Sequence, residues 1–205
     1  MMKLYYSPGS CSTASHIALE EAGAVYEAVR TDARIGDQRK PEYLAINPKG
    51  RVPSLVTQHG VLTETVAILA WVARAYPHAE LMPEDPWAYG QALSFMSYLA
   101  STVHVAHAHR HRGYRWATEE SSFEDMRRKV PQSVGDCFAL IEREFFRGPF
   151  VMGDQHTVCD GYLFTIADWL EGDGVDPAQF PRVHEHRERI RQRPAVRKVL
   201  AELAA

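Results

Sequence analysis

The periodicity of this chain changes once, at the proline-rich stretch PHAELMPEDP (77–86), and that change limits the folds open to it. Before it, short β-type runs alternate with helical ones. KLYYS (3–7) and AVYEAVRT (24–31) are rich in aromatic and β-branched residues, and VPSLVTQHGVLT (52–63) reads as a hairpin with His59-Gly60 at its tip. Between these runs lies a helix from Ser12 to Ala22, closed by Gly23, with Ala14, Ile17, Ala18 and Ala22 on one face. A short helical piece at 41–46, the turn NPKG (47–50) and a helix over 64–76 that Pro77 stops complete this half. The order β-α-β-α-β-β-α describes an α/β layer with a mixed four-stranded sheet.

After the break the strand signals vanish. Helical patterns cover 87–111, 122–147, 157–171, 180–193 and 194–204. Pro131 is expected to kink or offset the second of these, and Gly148-Pro149 to end it. TVCD (157–160) has the spacing of a capping box with Asp in place of Glu, and Pro194 suits the first turn of a last helix. The expected organisation is an α/β domain at 1–77, a linker at 78–86 and an all-helical domain at 87–205.

A net charge of −3 leaves no electrostatic footprint for nucleic acid. The basic residues at 182–198 are interrupted by Glu185 and Glu188, as on a solvated helix face. No apolar run is long enough to span a bilayer, and MMKLYYSPGS lacks the features of a secretion signal. The three cysteines, Cys11, Cys137 and Cys159, fit neither a zinc site nor a disulfide framework. No metal is expected, and a reducing cytoplasm is the expected compartment.

Cys11 stands between a Pro-Gly turn and a helix start. The local residues leave two readings open: a small buried packing residue, or a thiol at a helix N-terminus whose dipole favours the thiolate and lowers its pKa. Ser10 is an adjacent hydroxyl donor. Of Tyr5 and Tyr6 in the first strand, one is expected in the core and the other at the edge of a site. In HVAHAHRHR (104–112), His104, His107 and His111 share a helix face while His109 points away, which suggests a polar wall of a cleft.

Taken in order, these motifs carry a family resemblance. MKLYYSPGSCSTASHIALEEAG, NPKGRVPSL, LTETVAIL and TVCDGYLF together resemble the cytosolic glutathione transferases, most closely the bacterial beta class, over nearly the whole chain. The resemblance implies a thioredoxin-like N-terminal domain followed by an all-α domain. It implies a cis bond between Val52 and Pro53, with the Val52 backbone pairing with glutathione as an added strand would. Glu64 would meet the γ-glutamyl ammonium, and the Thr65 hydroxyl with its helix N-terminus the neighbouring carboxylate. Arg51, where the beta class often has glutamine, would hold the glycine carboxylate, and Lys49, two residues before it, is expected among the glutathione-binding residues. The lysine that the family carries after its second strand has no counterpart, and Arg34 is the nearest cation. His104 matches the histidine that approaches the glutathione thiol from the helical domain.

Two functions of different kinds follow from the resemblance. One is a glutathione S-transferase with Cys11 and His104 as catalytic residues. It would conjugate glutathione, its co-substrate, to a small electrophile, or exchange thiol and disulfide through a Cys11–glutathione mixed disulfide. The other is a non-catalytic binding or regulatory protein on the same fold. A homodimer is implied in either case.

Overall fold

The computed structural model describes residues 1–204. Its four strands are β1 (Met2–Tyr6), β2 (Tyr26–Arg30), β3 (Ser54–Thr57) and β4 (Gly60–Thr63), in the sheet order β2-β1-β3-β4. β1 and β2 run parallel, with Leu4 opposite Ala28; β3 is antiparallel to both β1 and β4. The sheet is mixed, as expected. The hairpin turns one residue earlier than its Gly60 suggested: Gly60 begins β4, and its φ of 118° is a conformation open to glycine alone at little cost.

Helix α1 (Ser12–Glu21) links β1 to β2. The sequence pattern showed one apolar face, but the helix is buried all the way round from Ser12 to Leu19. It packs against α3 (Thr65–Ala75) and against two helices of the second half, α7 (Val158–Ala167) and α9 (Pro194–Ala204). Small residues at Ser12, Ala14, Ser15 and Ala18 permit that approach. Helix α2 (Pro41–Leu44) is a single turn whose buried Tyr43 donates its hydroxyl to the Arg51 carbonyl at 2.7 Å. The Asn47 amide donates to the same carbonyl at 2.7 Å, so two side chains hold the NPKG turn against the start of β3.

The helical half opens with α4 (Pro86–Tyr98), passes through a π-helical turn at Leu99–Val103 and continues as α5 (His104–Ala108). Asp85 caps α4, accepting the Ala88 N–H at 2.8 Å. The expected helix over 87–111 is therefore present but carries one widened turn, which shifts the face presented by everything after it. Helix α6 (Glu120–Glu144) runs through Pro131 without ending there. The third helical pattern, α7 (Val158–Ala167), stops at Ala167 rather than 171, because turns through Gly174 (φ 78°) follow. Helix α8 (Pro181–Arg191) and α9 each begin at proline, whose missing N–H costs nothing in a first turn.

The capping box is real and does more than cap. Asp160 Oδ2 accepts the Thr157 N–H at 2.7 Å, while its Oδ1 accepts the Val151 N–H at 2.8 Å and lies 2.9 Å from His186 Nε2. Asp160 and His186 are both buried. Burial opposes charge on Asp160, but the hydrogen bond from His186 and its charge carry the carboxyl below its ordinary pKa. This one side chain ties the α7 start to a loop and to α8. Among the described residues, no helix is long and apolar enough to cross a membrane.

Candidate active site

Three serines build the floor on which Cys11 sits. The Ser7 N–H donates to Ser12 Oγ at 3.0 Å, and the Ser12 N–H donates to Ser10 Oγ at 3.2 Å. Ser10 Oγ also donates to the Ser7 carbonyl at 2.8 Å and lies 2.6 Å from Ser12 Oγ. These bonds clamp the turn PGSC between the end of β1 and the first turn of α1. Ser10 lines the cleft, but its hydroxyl is engaged in the turn. Cys11 occupies the residue before α1, as expected, and its sulfur lies 3.8 Å from the Val52 carbonyl oxygen. The Val52–Pro53 bond is cis, and among the described residues the Val52 N–H has no acceptor.

Glu64 and Thr65 complete the near wall. Glu64 precedes α3 at φ 73°, a left-handed conformation that costs a non-glycine residue roughly 1–3 kcal/mol. No sequence signal announced this strain; it places the carboxylate at the cleft beside the start of α3. The Glu64 carboxylate pairs with the Lys49 ammonium. Lys49 does not itself line the cleft, whereas Arg51, Val52, Pro53, Glu64 and Thr65 do. Arg34 lines it too, but its guanidinium is held by Asp32 at 3.0 and 2.6 Å.

The far wall comes from the helical half. His104, His107 and His111 all face a cleft of about 1080 Å³, and His109 turns away to pack on Trp116 at 4.4 Å. His107 Nδ1 lies 2.8 and 2.9 Å from the two carboxylate oxygens of Asp173, and its ring stacks on Trp169 at 4.2 Å. Among the described residues no three His, Cys, Asp or Glu side chains converge as metal ligands. His104 packs on Trp169 at 5.1 Å between ring centroids, and Arg112 Nη1 donates to its Nε2 at 3.4 Å. A guanidinium can only donate, so His104 carries its proton on Nδ1. Burial, then the charge of Arg112, pushes the His104 pKa down to about 3, and the ring is neutral at pH 7.

Of the two states open to Cys11, its surroundings favour the neutral thiol, because burial pushes its pKa above the ordinary value. The neighbouring Thr65 hydroxyl and the Arg112 charge oppose that shift without reversing it. The dipole of α1 favours a thiolate, but the loss of water around the sulfur opposes it more strongly. Contrary to expectation, neither strand tyrosine edges the cleft: Tyr6 is in the core, and Tyr5 packs edge-on against Tyr43 at 5.8 Å. The tyrosine that does reach the cleft is Tyr162 on α7, buried and in the electrostatic field of Cys11 and Glu64.

Arg112 is the main residue that sequence reasoning missed. It lay in the motif read for its histidines, and only the fold brings it to Cys11.

A cysteine between a sheet end and a helix start, beside a cis-proline loop and roofed by a helical domain, defines a thioredoxin-like glutathione site with an added second wall. The Glutathione S-transferase N-terminal domain model matches residues 1–74, and the C-terminal domain model matches residues 108–202. The chain belongs to the glutathione S-transferase family. It superimposes with a TM-score of 0.96 on a glutathione transferase homolog from Sulfitobacter with bound glutathione, at 47% identity over 98% of each chain. A beta class glutathione S-transferase from Sphingomonas chungbukensis gives a TM-score of 0.84 at 32% identity over 98% of each chain. The glutathione S-transferase GstA of Escherichia coli O157:H7 is 28% identical over 98% of each chain.

Proposed function

We propose that this enzyme is a glutathione S-transferase that conjugates glutathione to a small electrophile, with residues 1–77 holding the tripeptide and 87–205 walling the second substrate. The observation that carries this reading is the surrounding of Cys11. Its sulfur shares one cleft with the Val52 backbone, Glu64, Thr65, His104 and Arg112. A thiol kept neutral by burial has one S–H to donate, which would turn from the Val52 carbonyl to a glutathione thiolate beside it. Arg112 supplies positive charge to the same spot. In the reaction the glutathione S–H releases its proton to solvent water, the sulfur lone pair bonds to the electrophilic carbon, and the leaving group departs with its electron pair.

Glutathione would lie with its ammonium at Glu64, its γ-glutamyl carboxylate at the α3 start and its cysteinyl backbone along Val52. Arg51 would receive the glycine carboxylate. Lys49, paired with Glu64, would tune that carboxylate rather than touch the tripeptide. Thr65 would serve both Cys11 and the ligand.

Thiol–disulfide exchange is a second reading, because Cys11 is the cysteine that lines the cleft while Cys137 and Cys159 are buried in the helical core. It needs Cys11 as the thiolate, which burial disfavours. Intact mass after incubation with oxidised glutathione separates the readings. A stoichiometric glutathione adduct on wild type and none on Cys11→Ala would favour exchange; no adduct together with turnover of an aryl halide would favour conjugation. Failure to be retained on immobilised glutathione would leave the non-catalytic alternative.

The protein would act in the cytoplasm as a homodimer. Trp87 and Val61, 75% and 46% exposed, are apolar side chains that nothing in the single chain covers. Sedimentation as a species of 23.2 kDa at micromolar concentration would reject the dimer.

A further inference from the structure

The ionisable side chains that line the cleft are strongly unbalanced. Arg34, Arg39, Arg51, Arg112 and Arg115 face it, against Glu64 as the lining carboxylate. Glutathione bound as a thiolate brings two carboxylates, one ammonium and one sulfur anion. Arg34 is already held by Asp32, and Arg39 and Arg51 stand on the N-terminal wall beside the expected tripeptide. Arg112 answers the charge on sulfur. Arg115 is left over.

Three acids, Asp173, Glu171 and Glu64, are committed to other partners. Asp173, 1% exposed, is taken by His107 at 2.8 Å with Arg110 at 3.6 Å. Glu171 pairs with Arg187 at 2.7 Å, and Glu64 with Lys49. Among the described residues, Arg115 has no acid within ion-pair distance and no side-chain hydrogen bond. It is nevertheless only half-exposed and lies in the field of Arg112. Like charges so placed repel one another, and each leaves water at a cost that an anion would offset.

The local backbone fixes where that guanidinium sits. Arg115 ends a 3₁₀ turn over Gly113–Arg115, with its N–H on the Arg112 carbonyl at 3.0 Å. The turn packs against α6 through Gly113, where an added Cβ would meet Phe123 at 2.9 Å. Tyr114 and Trp116 flank Arg115, 58% and 46% exposed, and both line the cleft. Trp169 stands on the same wall with its face occupied by His107. The wall thus offers a cation without an acid partner whose two chain neighbours, Tyr114 and Trp116, are aromatic and also line the cleft, Trp116 with one side against His109 at 4.4 Å.

We infer that this wall binds a second substrate carrying a carboxylate on an aromatic or conjugated skeleton, with Arg115 receiving the carboxylate and Tyr114 and Trp116 flanking the skeleton. The inference rests on the transferase reading and adds the substrate class to it. A carboxylate and a planar guanidinium form paired hydrogen bonds, so lysine would not fully replace arginine there.

The test uses 4-chloro-3,5-dinitrobenzoate and its methyl ester with the full-length enzyme. Each kcat/KM is divided by the uncatalysed rate constant with glutathione, which removes the difference in intrinsic reactivity. The expected enhancement is about tenfold or more larger for the carboxylate. Arg115→Gln should lower that carboxylate-to-ester ratio about tenfold, and Arg115→Lys should restore part of it. A ratio near one in wild type, or a ratio unmoved by R115Q, overturns the proposal. If R115Q raises the KM for glutathione as much as that for the benzoate, the guanidinium serves the tripeptide and the proposal also falls. Calorimetry with the two preformed S-aryl conjugates distinguishes the deeper failure. Equal binding of both rejects the anionic subsite and leaves the glutathione site standing, whereas binding of neither rejects the transferase reading itself.

Discussion

The sulfur of Cys11 lies 3.8 Å from the carbonyl oxygen of Val52, across 41 residues of chain. A carbonyl can only accept, so the contact holds when Cys11 keeps its proton and weakens when it does not. It therefore agrees in direction with burial, which raises the thiol pKa.

Alkylation of Cys11 should accordingly be slow at neutral pH. Its rate with iodoacetamide, followed by intact mass, should climb only above about pH 8.5, where an ordinary thiol ionises. Rapid modification at pH 7 would contradict the neutral thiol. For conjugation, Cys11→Ala removes a donor to the developing anion and should lower kcat/KM by about a hundredfold, while Cys11→Ser keeps a hydroxyl donor and should lose less.

His104 should remain neutral from pH 5 to 8. Its pKa of about 3 in the folded protein lies below the unfolded value of 6.5, so the unfolded chain takes up the proton first as pH falls. The stability tied to neutral His104 is present above pH 6.5 and is lost progressively between 6.5 and 3, at up to about 1.4 kcal/mol per pH unit. His104→Gln should flatten the urea-denaturation free energy over pH 4.5–6.5, and the His104 ring resonances should not titrate in that window.

Asp160 satisfies the Thr157 and Val151 N–H groups and the buried His186 together. Asp160→Ala orphans all three and should cost about 3–5 kcal/mol in urea unfolding. The Asp160 pKa is depressed, so its contribution is present above the unfolded value of 3.8 and is lost as pH falls through the lower folded value. A melting temperature unchanged by the substitution would remove Asp160 as the tie between the α7 start and α8.

Lys49 and Glu64 form an exposed pair, which contributes about 0–1 kcal/mol to stability. Lys49→Met should leave the fold intact and change the glutathione KM by less than about fivefold. Glu64→Gln removes the charge that would meet the ammonium and should raise that KM about tenfold or more. A large effect of Lys49→Met, with Glu64→Gln silent, would reverse the two roles.

Much of the fold was readable from local chemistry. The strands of the N-terminal half, the start of α1 after Cys11, the Thr157–Asp160 box and the proline starts of α8 and α9 all depend on neighbours within four residues. The misjudged features share a different origin. The π turn at Leu99–Val103 interrupts a helical pattern that gave no sign of it. The strain at Glu64 comes from the loop on one side and α3 on the other. Tyr6 is in the core as one of the pair was expected to be, but Tyr5 packs on Tyr43 instead of edging the cleft, and Tyr162 reached it because α7 packs on α1.

By itself the sequence determined the order and type of the elements and the placing of a cysteine at a helix start, because periodicity, caps and turns act through bonds a few residues long. Only the tertiary structure decided the state of that cysteine and the charge of its surroundings. Burial removes water from the thiol, and Arg112 and His104 arrive from about a hundred residues away. Desolvation and Coulomb energy depend on distance through space, and sequence spacing carries no measure of it.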